Sequence, residues 1–245
     1  MSQVAALPTR RDEDFRYADL AALTPLWPVA AEQVRVPGGE AQTMTLILAG
    51  GEAVARELAV TLGAGASFDL RVLNANGAYG RVALRAELGE GANFTLGAAQ
   101  LAAGEQVLEI VTQVVHAAPD AVSRQIVRSV AGGQASVNYL GKVLVAKGAN
   151  GTDGEQSVRA MLLDRTATAN ARPELEIHAD DVKCAHGCAV GELDANGLFY
   201  MAARGIPPET AKRLMLQAFV AEAFAGAAEE EALLEQALAA LEAML

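Results

Sequence analysis

From about Glu32 to Gly191 the chain alternates apolar and polar residues in short runs. "QTMTLIL", "SFDLRVL", "GRVALRAEL", "VLEIVTQVV", "SVNYLGKVLV" and "ELEIHAD" carry apolar side chains at alternate positions, the period of a half-buried strand. Turns rich in Gly, Asn and Asp separate them, among them "GAGASF", "GEGANF" and "AGGQASV". Gly-Ala-x-Phe occurs at Gly65–Phe68 and again at Gly91–Phe94, and the related "GGQASV" follows after about two further periods. A loose repeat of roughly 20–26 residues predicts a solenoid of stacked β coils, a β-helix whose coils bury a narrow interior only by stacking. A jelly roll or β-sandwich gives similar strings, and periodicity leaves those alternatives open.

The flanks read differently. Residues 1–31 form a short N-terminal helical segment, with "DEDFRYADLAAL" as one amphipathic helix led by acidic residues, as a helix dipole favours. Pro25 and Pro28 stop it. Residues 32–191 make the β core, and residues 192–245 a helical subdomain. There Asp194 caps "ANGLFYMAAR", Gly205 ends it, and Pro207 and Pro208 open "PETAKRLMLQAFVAEAFA". Leu214, Met215, Ala218 and Phe219 are expected along one face of that helix. Gly226 breaks it. Three glutamates then lead "EEEALLEQALAALEAML", with Leu234, Leu238, Leu241 and Leu245 as its stripe. Such stripes serve either as core within the subunit or as a docking face.

Composition narrows the classes of function. The 245 residues suffice for a core that needs neither disulfides nor metals to hold it. A net charge of −11 without any basic run argues against nucleic-acid binding, which needs cations to displace counterions. No apolar run approaches the roughly 20 residues of a membrane span. The start, "MSQVAALPTRRDEDF", lacks the basic-then-apolar order of a secretory leader. Two cysteines are too few for a disulfide framework. These features predict a cytoplasmic protein with reduced thiols. Gly141-Lys142 is followed by Val143 and lacks the glycines of a phosphate loop, so no ATP site of its own is expected. GxGxxG at a strand-to-helix turn, the GxSxG elbow and HExxH are absent too.

Rare chemistry concentrates in "EIHADDVKCAHGC", residues 176–188, with both cysteines and two of the three histidines. If this segment stays extended, His178, Asp180, Val182, Cys184, His186 and Cys188 share one face. Residues two apart on a strand lie roughly 6.6 Å apart and can share a metal or a cluster edge. Residues four apart lie roughly 13 Å apart, beyond disulfide range, so Cys184 and Cys188 do not bridge unless Gly187 bends the strand. Cys184 and His186 are the natural pair, with Cys188 and His178 as weaker metal candidates. Two ligands do not complete a tetrahedral site, so others must come from an adjacent coil or a second subunit. The plainer reading makes the cysteines small hydrophobes and the histidines satisfied polar groups.

"LEIHADDVKCAHGCAVGELDANGLFYMAARGI" closely resembles the C-terminal signature of SufD, in the SufB/SufD family of the Suf iron–sulfur cluster assembly system. "RDEDFRYADL" and "HAAPDAVSRQIVRSVAGGQASVNYLGKVLV" resemble further stretches of that family, so the likeness spreads over most of the chain. The resemblance implies a right-handed β-helix core flanked by helices. It implies a non-catalytic scaffold subunit beside the paralogue SufB, paired through the C-terminal end of the β-helix, and the separate ATPase SufC. His186 matches a histidine implicated in building the nascent cluster, and Cys184 a nearby cysteine. The resemblance further implies a transient Fe–S cluster or iron at the shared interface, with reduced flavin as a further candidate in the assembly. Phe199, Tyr200, Arg204, Gly205, Ile206 and Pro207 fall in the part that docks the ATPase.

The chain departs from the family pattern in places. Cys188 stands where alanine is usual and His178 where an aromatic is common. Against the family pattern the chain reads as short, without the longer helical N-terminal extension and some coils, which leaves self-association into a homodimer open beside SufB pairing. Two other readings compete. One is an independent metal-binding β-helix protein or metal-dependent enzyme, and the other is a purely structural subunit.

Overall fold

A computed structural model describes residues 6–75 and 77–245; Met1–Ala5, where the expected helical segment and the leader reading begin, lie outside the described residues. Twelve strands among the described residues carry the core: β1 (Ala31–Val36), β2 (Ala41–Leu48), β3 (Val54–Leu62), β4 (Ser67–Ala75), β5 (Tyr79–Leu88), β6 (Asn93–Ala102), β7 (Val107–His116), β8 (Val122–Ala131), β9 (Ser136–Val145), β10 (Thr152–Leu162), β11 (Thr168–Ile177) and β12 (Val182–Gly191). The odd-numbered strands form one six-stranded sheet and the even-numbered strands another, each in chain order. All neighbours are parallel. The chain therefore crosses from sheet to sheet at every turn, and each odd–even pair of strands is one coil of a solenoid. A jelly roll or sandwich would pair its strands antiparallel, so those alternatives fall.

Stacking residues follow the sequence repeat. Ala41 lies beside Ser67 and Ser67 beside Asn93, 26 residues apart in each step. Later coils lengthen, and Val122 lies beside Asp153, 31 residues on. At one corner Gly39, Gly65, Gly91, Asp120 and Gly151 all take positive φ. The amide of each donates to a carbonyl of the next coil, as Gly65 does to Glu90 and Asp120 to Asn150. Only glycine enters that region freely, and aspartate is among the few others that tolerate it. The two Gly-Ala-x-Phe repeats are this corner: Phe68 and Phe94 stack inside the solenoid with centroids 6.3 Å apart. "GGQASV" belongs to the other corner, where Gln134 donates to the carbonyl of Gly104.

Both outer faces are covered. The N-terminal segment is not the single helix expected. A 3₁₀ turn at Glu13–Phe15 is followed by the short α1 (Leu20–Leu23), capped by Asp19, and by a second 3₁₀ turn at Thr24–Leu26. Its backbone is spent on the odd sheet instead. The carbonyl of Asp14 accepts from Arg81 at 2.9 Å and that of Tyr17 from Asn138 at 3.4 Å. Glu13 pairs with Arg172, and Arg81 lies over the Phe15 ring.

The even sheet is covered by α3 (Pro208–Ala221) and α4 (Glu230–Glu242), while α2 (Ala195–Ala202) packs against α3. The helix stripes differ from those expected. In α3 the buried face is Ala211, Leu216, Phe219 and Val220, while Leu214 is 42% exposed and Ala218 also faces out. In α4 it is Leu233, Ala237, Ala240 and Leu241, with Leu234 and Leu238 half-buried and Leu245 exposed. The apolar runs are wider than one stripe, and the sheet selects the face. Leu73, Ala99, Leu101 and Val130 on the outer side of β4, β6 and β8 meet these helices. Arg71 and Arg128 fasten them: Arg71 is held by Asp69 and donates to the Ala223 carbonyl, and Arg128 pairs with Glu222.

Candidate functional site

The core changes character along the solenoid. On the even strands, inward positions align in columns by register. One reads Met44, Leu70, Leu96, Gln125, Gln156, His186, and the next reads Phe68, Phe94, Ser123, Gly154, Cys184. A third runs Leu46, Val72, Ala98, Val127, Val158, Cys188. From β4 to β6 these columns are thus apolar, and β8, β10 and β12 place Gln125, Gln156 and His186 in the first column and Ser123 and Cys184 in the second, with Gly154 between them.

Strand β12 ends its sheet, so one of its edges is free among the described residues. Cys184, His186 and Cys188 are in phase on it, as expected. Asp180 and His178 are not. The chain leaves β11 at Ile177 and enters β12 at Val182, and these strands belong to different sheets. The four residues between them turn the corner, with His178 N donating to Val145 and the Asp181 carbonyl accepting from Gly151. His178 pairs with Glu176 at 2.9 Å, which Lys142 also holds. The extended reading of residues 176–188 fails there because a solenoid must turn once per strand.

Cys184 is half-buried and packs against the interior core. Burial pushes its thiol above the ordinary range. Cys188 is exposed at the rim, and its Sγ lies 3.8 Å from the Ala171 carbonyl of β11, across the open end. Its thiol is also raised by burial. Both thiols are free and unbridged, so continuous pairing of β12 with β10 keeps them apart despite Gly187. His186 is exposed. Among the described residues no group of three or more His, Cys, Asp or Glu side chains converges to hold a metal ion. At neutral pH we expect iodoacetamide to label Cys188 faster than Cys184, and both more slowly than an unperturbed thiol, because the thiolate is the reactive form. Peptide mass spectrometry over time measures both rates.

Beneath the rim lies a polar layer that alternation alone did not single out. His116 is fully buried, and its Nε2 is 2.9 Å from Ser123 Oγ. A Cβ at Gly154 would sit 3.5 Å from Cys184 Sγ and 3.6 Å from His116 Nε2, so the missing side chain leaves a gap between thiol and imidazole. Thr112 donates to Gln125 at 3.0 Å, and Gln156 donates to the Tyr139 hydroxyl at 3.0 Å. Burial pushes the Tyr139 phenol up to about 12. Gly141 of the "GK" pair makes room for that ring: a Cβ there would lie 2.1 Å from the Tyr139 hydroxyl. The signal was present in "VTQVVH", "VSRQIV" and "GEQSV", where polar residues occupy inward positions.

Burial lowers the His116 pKa to about 4, against an ordinary value of 6.5. Above pH 6.5 neither folded nor unfolded chain is protonated there. Between 6.5 and about 4 only the unfolded chain takes the proton, so stability falls with acid across that window and levels off below it. The loss amounts to about 3 kcal/mol. Urea unfolding of wild type and His116→Gln at pH 7 and 4.5 measures it, and the difference in slope belongs to His116.

The family match covers residues 42–219, more than half of the chain, and is described as "SUF system FeS cluster assembly, SufBD core domain". The chain belongs to the SufB/SufD family. It is SufD-like: it is 32% identical over 151 residues to the iron-sulfur cluster assembly protein SufD of Escherichia coli (strain K12), covering 62% of this chain and 36% of that protein. It is 34% identical over 118 residues to SufD of Bacillus subtilis (strain 168), covering 48% of this chain and 27% of that protein. Protein ABCI7, chloroplastic, of Arabidopsis thaliana is 40% identical over 119 residues, 48% of this chain and 25% of that protein. The chain spans about a quarter to a third of the length of these relatives. No helix among the described residues is long and apolar enough to cross a membrane.

The second group of expected SufB/SufD family residues lies on and after α2. Asp194 caps that helix through the amides of Asn196 and Gly197. Phe199 is 77% exposed and Tyr200 58%. Arg204 lies 3.4 Å from the Tyr200 ring centroid. Gly205 takes a φ of 79°, and Ile206 N returns to the Met201 carbonyl to close the helix end. Pro207 then precedes the first turn of α3. Two exposed aromatics next to each other, one with an arginine over its face, are the composition of interface anchors.

Proposed function

We propose that this chain is a non-catalytic scaffold subunit of the cytoplasmic Suf assembly. It pairs with SufB through the open end of the solenoid and docks SufC through the segment Phe199–Pro207. Cys184 and His186 then supply half of a site for a nascent Fe–S cluster or for incoming iron, which is cargo. The observation that carries this reading is the rim of β12: Cys184, His186 and Cys188 face one way on a terminal strand, and among the described residues no group of three or more His, Cys, Asp or Glu side chains converges to hold a metal ion there. A tetrahedral site needs four ligands, so a partner surface must provide the remainder. The free edge of β12 offers main-chain groups for strand pairing, and a paired edge would bury the rim and exclude water from a labile cluster.

The test is coexpression of the tagged full chain with SufB and SufC, followed by intact mass measurement of what copurifies. The expected mass contains all three chains. Absence of SufB and SufC, with a monomer or homodimer in light scattering at micromolar concentration, overturns the pairing. Stoichiometric metal on the isolated chain would instead favour an independent metal protein.

A further inference from the structure

The buried amide of Gln156 is fixed in one orientation and left half-paired. Its Nε2 donates to Tyr139 Oη at 3.0 Å. Thr112 spends its one proton on Gln125 Oε1 at 3.0 Å. Tyr139 therefore donates to Thr112 at 3.2 Å or to Gln125 at 3.4 Å. Turning the amide over would spend the single Tyr139 proton on Gln156 and lose that bond, so Oε1 is held as the acceptor facing away from Tyr139's bond to Nε2. Gln156 is 0% exposed, and its Oε1 has no partner. The neighbouring Gln125 Nε2 does not reach it and is itself unpaired. The other neighbour in the column, directly across the β10–β12 register, is His186.

We infer that Gln156 is the positioning residue of His186: its Oε1 accepts a ring N–H, fixing one imidazole tautomer and leaving the other nitrogen's lone pair for a ligand. Adjacent parallel strands lie about 4.8 Å apart, within reach of both side chains. A buried acceptor left unpaired forfeits its hydration with nothing in return, whereas turning a histidine between staggered rotamers costs less. Ligating histidines generally donate their second ring nitrogen in this way, which sets the tautomer and aims the ring. The chain Thr112–Tyr139–Gln156 thereby ties the rim to the interior of the preceding coils. The inference takes from the proposed function only the role of His186 as a ligand, and its test needs no partner.

The experiment is long-range 1H–15N correlation of the isolated full chain with 15N-labelled histidine at pH 8, above the ordinary imidazole range of about 6.5. The three histidines are assigned by single His→Gln variants. In the wild type the two ring nitrogens of His186 should resonate far apart, as in a single tautomer. In Gln156→Leu they should move towards the averaged values of a freely exchanging ring, with His178 unchanged. Gln156→Glu keeps the acceptor and should keep the separation. If Gln156→Leu does not fold, Tyr139→Phe removes the clamp on the amide and should shift His186 the same way. Unchanged His186 shifts in a folded Gln156→Leu or Tyr139→Phe protein overturn the inference. Failure of SufB or SufC to bind leaves these spectra as they are, so the two readings fail separately.

Discussion

Replacing Arg81 with alanine is expected to lower the free energy of unfolding by about 3–5 kcal/mol, the cost of stranding a buried charge. Arg81 and Glu109 are neighbours on β5 and β7, 2.9 Å apart and each 2% exposed. The same carboxylate accepts from Tyr79 at 2.7 Å, and burial with that carboxylate nearby holds the phenol protonated far above its usual range. Arg81 also carries the N-terminal segment, through the Asp14 carbonyl and the Phe15 ring. Alanine would remove the ion pair and both contacts to the N-terminal segment, and leave the buried Glu109 without its cation, still accepting from Tyr79. The contrast is Arg56→Ala. Its partner Glu32 is 43% exposed, so that change should cost no more than about 1 kcal/mol. Arg81→Met with Glu109→Leu should cost less than either single change, because it strands no charge. Urea unfolding monitored by circular dichroism measures Arg81→Ala, Arg56→Ala, the double change and its two single changes. A loss below about 1 kcal/mol for Arg81→Ala would contradict the account of this network.

Gly97→Val is expected to release the C-terminal helices while leaving the solenoid intact. A Cβ at Gly97 would lie 1.9 Å from the Ala223 carbonyl oxygen and 2.5 Å from Arg71 Nη1. The carbonyl is backbone, so the end of α3 must move rather than a flexible tip. The move breaks the Arg71–Ala223 hydrogen bond and lifts Phe219, Val220 and Phe224 from the even sheet. Overpacking of this kind costs about 1–3 kcal/mol, and more where backbone must shift. Hydrogen exchange should accelerate across residues 195–245 and stay slow in β4 to β9. Exchange in the helices as slow as in wild type would show that the sheet tolerates the extra volume.

Alternation made the solenoid legible in only part of the chain. β2, β4, β5, β7, β9 and β11 showed as alternating runs. β6 and β8 did not, because their outer faces are buried under α3 and α4, and a strand buried on both sides shows no alternation. β10 was obscured differently: Gly154 and Gln156 occupy inward positions where an apolar residue was expected. The phase of Cys184, His186 and Cys188 was readable because two-residue spacing survives in any strand. The corner that removes His178 was marked only by the aspartate pair of "HADD", turn residues that also fit the ligand-type pattern of an extended strand. The buried layer below the rim required register, because Thr112, Tyr139 and Gln156 come together from three separate strands. The helix faces were ambiguous in sequence because α3 and α4 carry more apolar residues than one stripe needs.

The rim is the centre of the functional account, and iron and acid-labile sulfide content measures it most directly. The full chain would be coexpressed with SufB and SufC, purified without oxygen, and compared with Cys184→Ser and His186→Ala. The account predicts iron and sulfide on the wild-type assembly and little on the isolated chain. It predicts at least a roughly tenfold loss in each variant at unchanged assembly mass, as loss of a ligand or of what orients it entails. Equal loading of wild type and both variants in intact assemblies would contradict it.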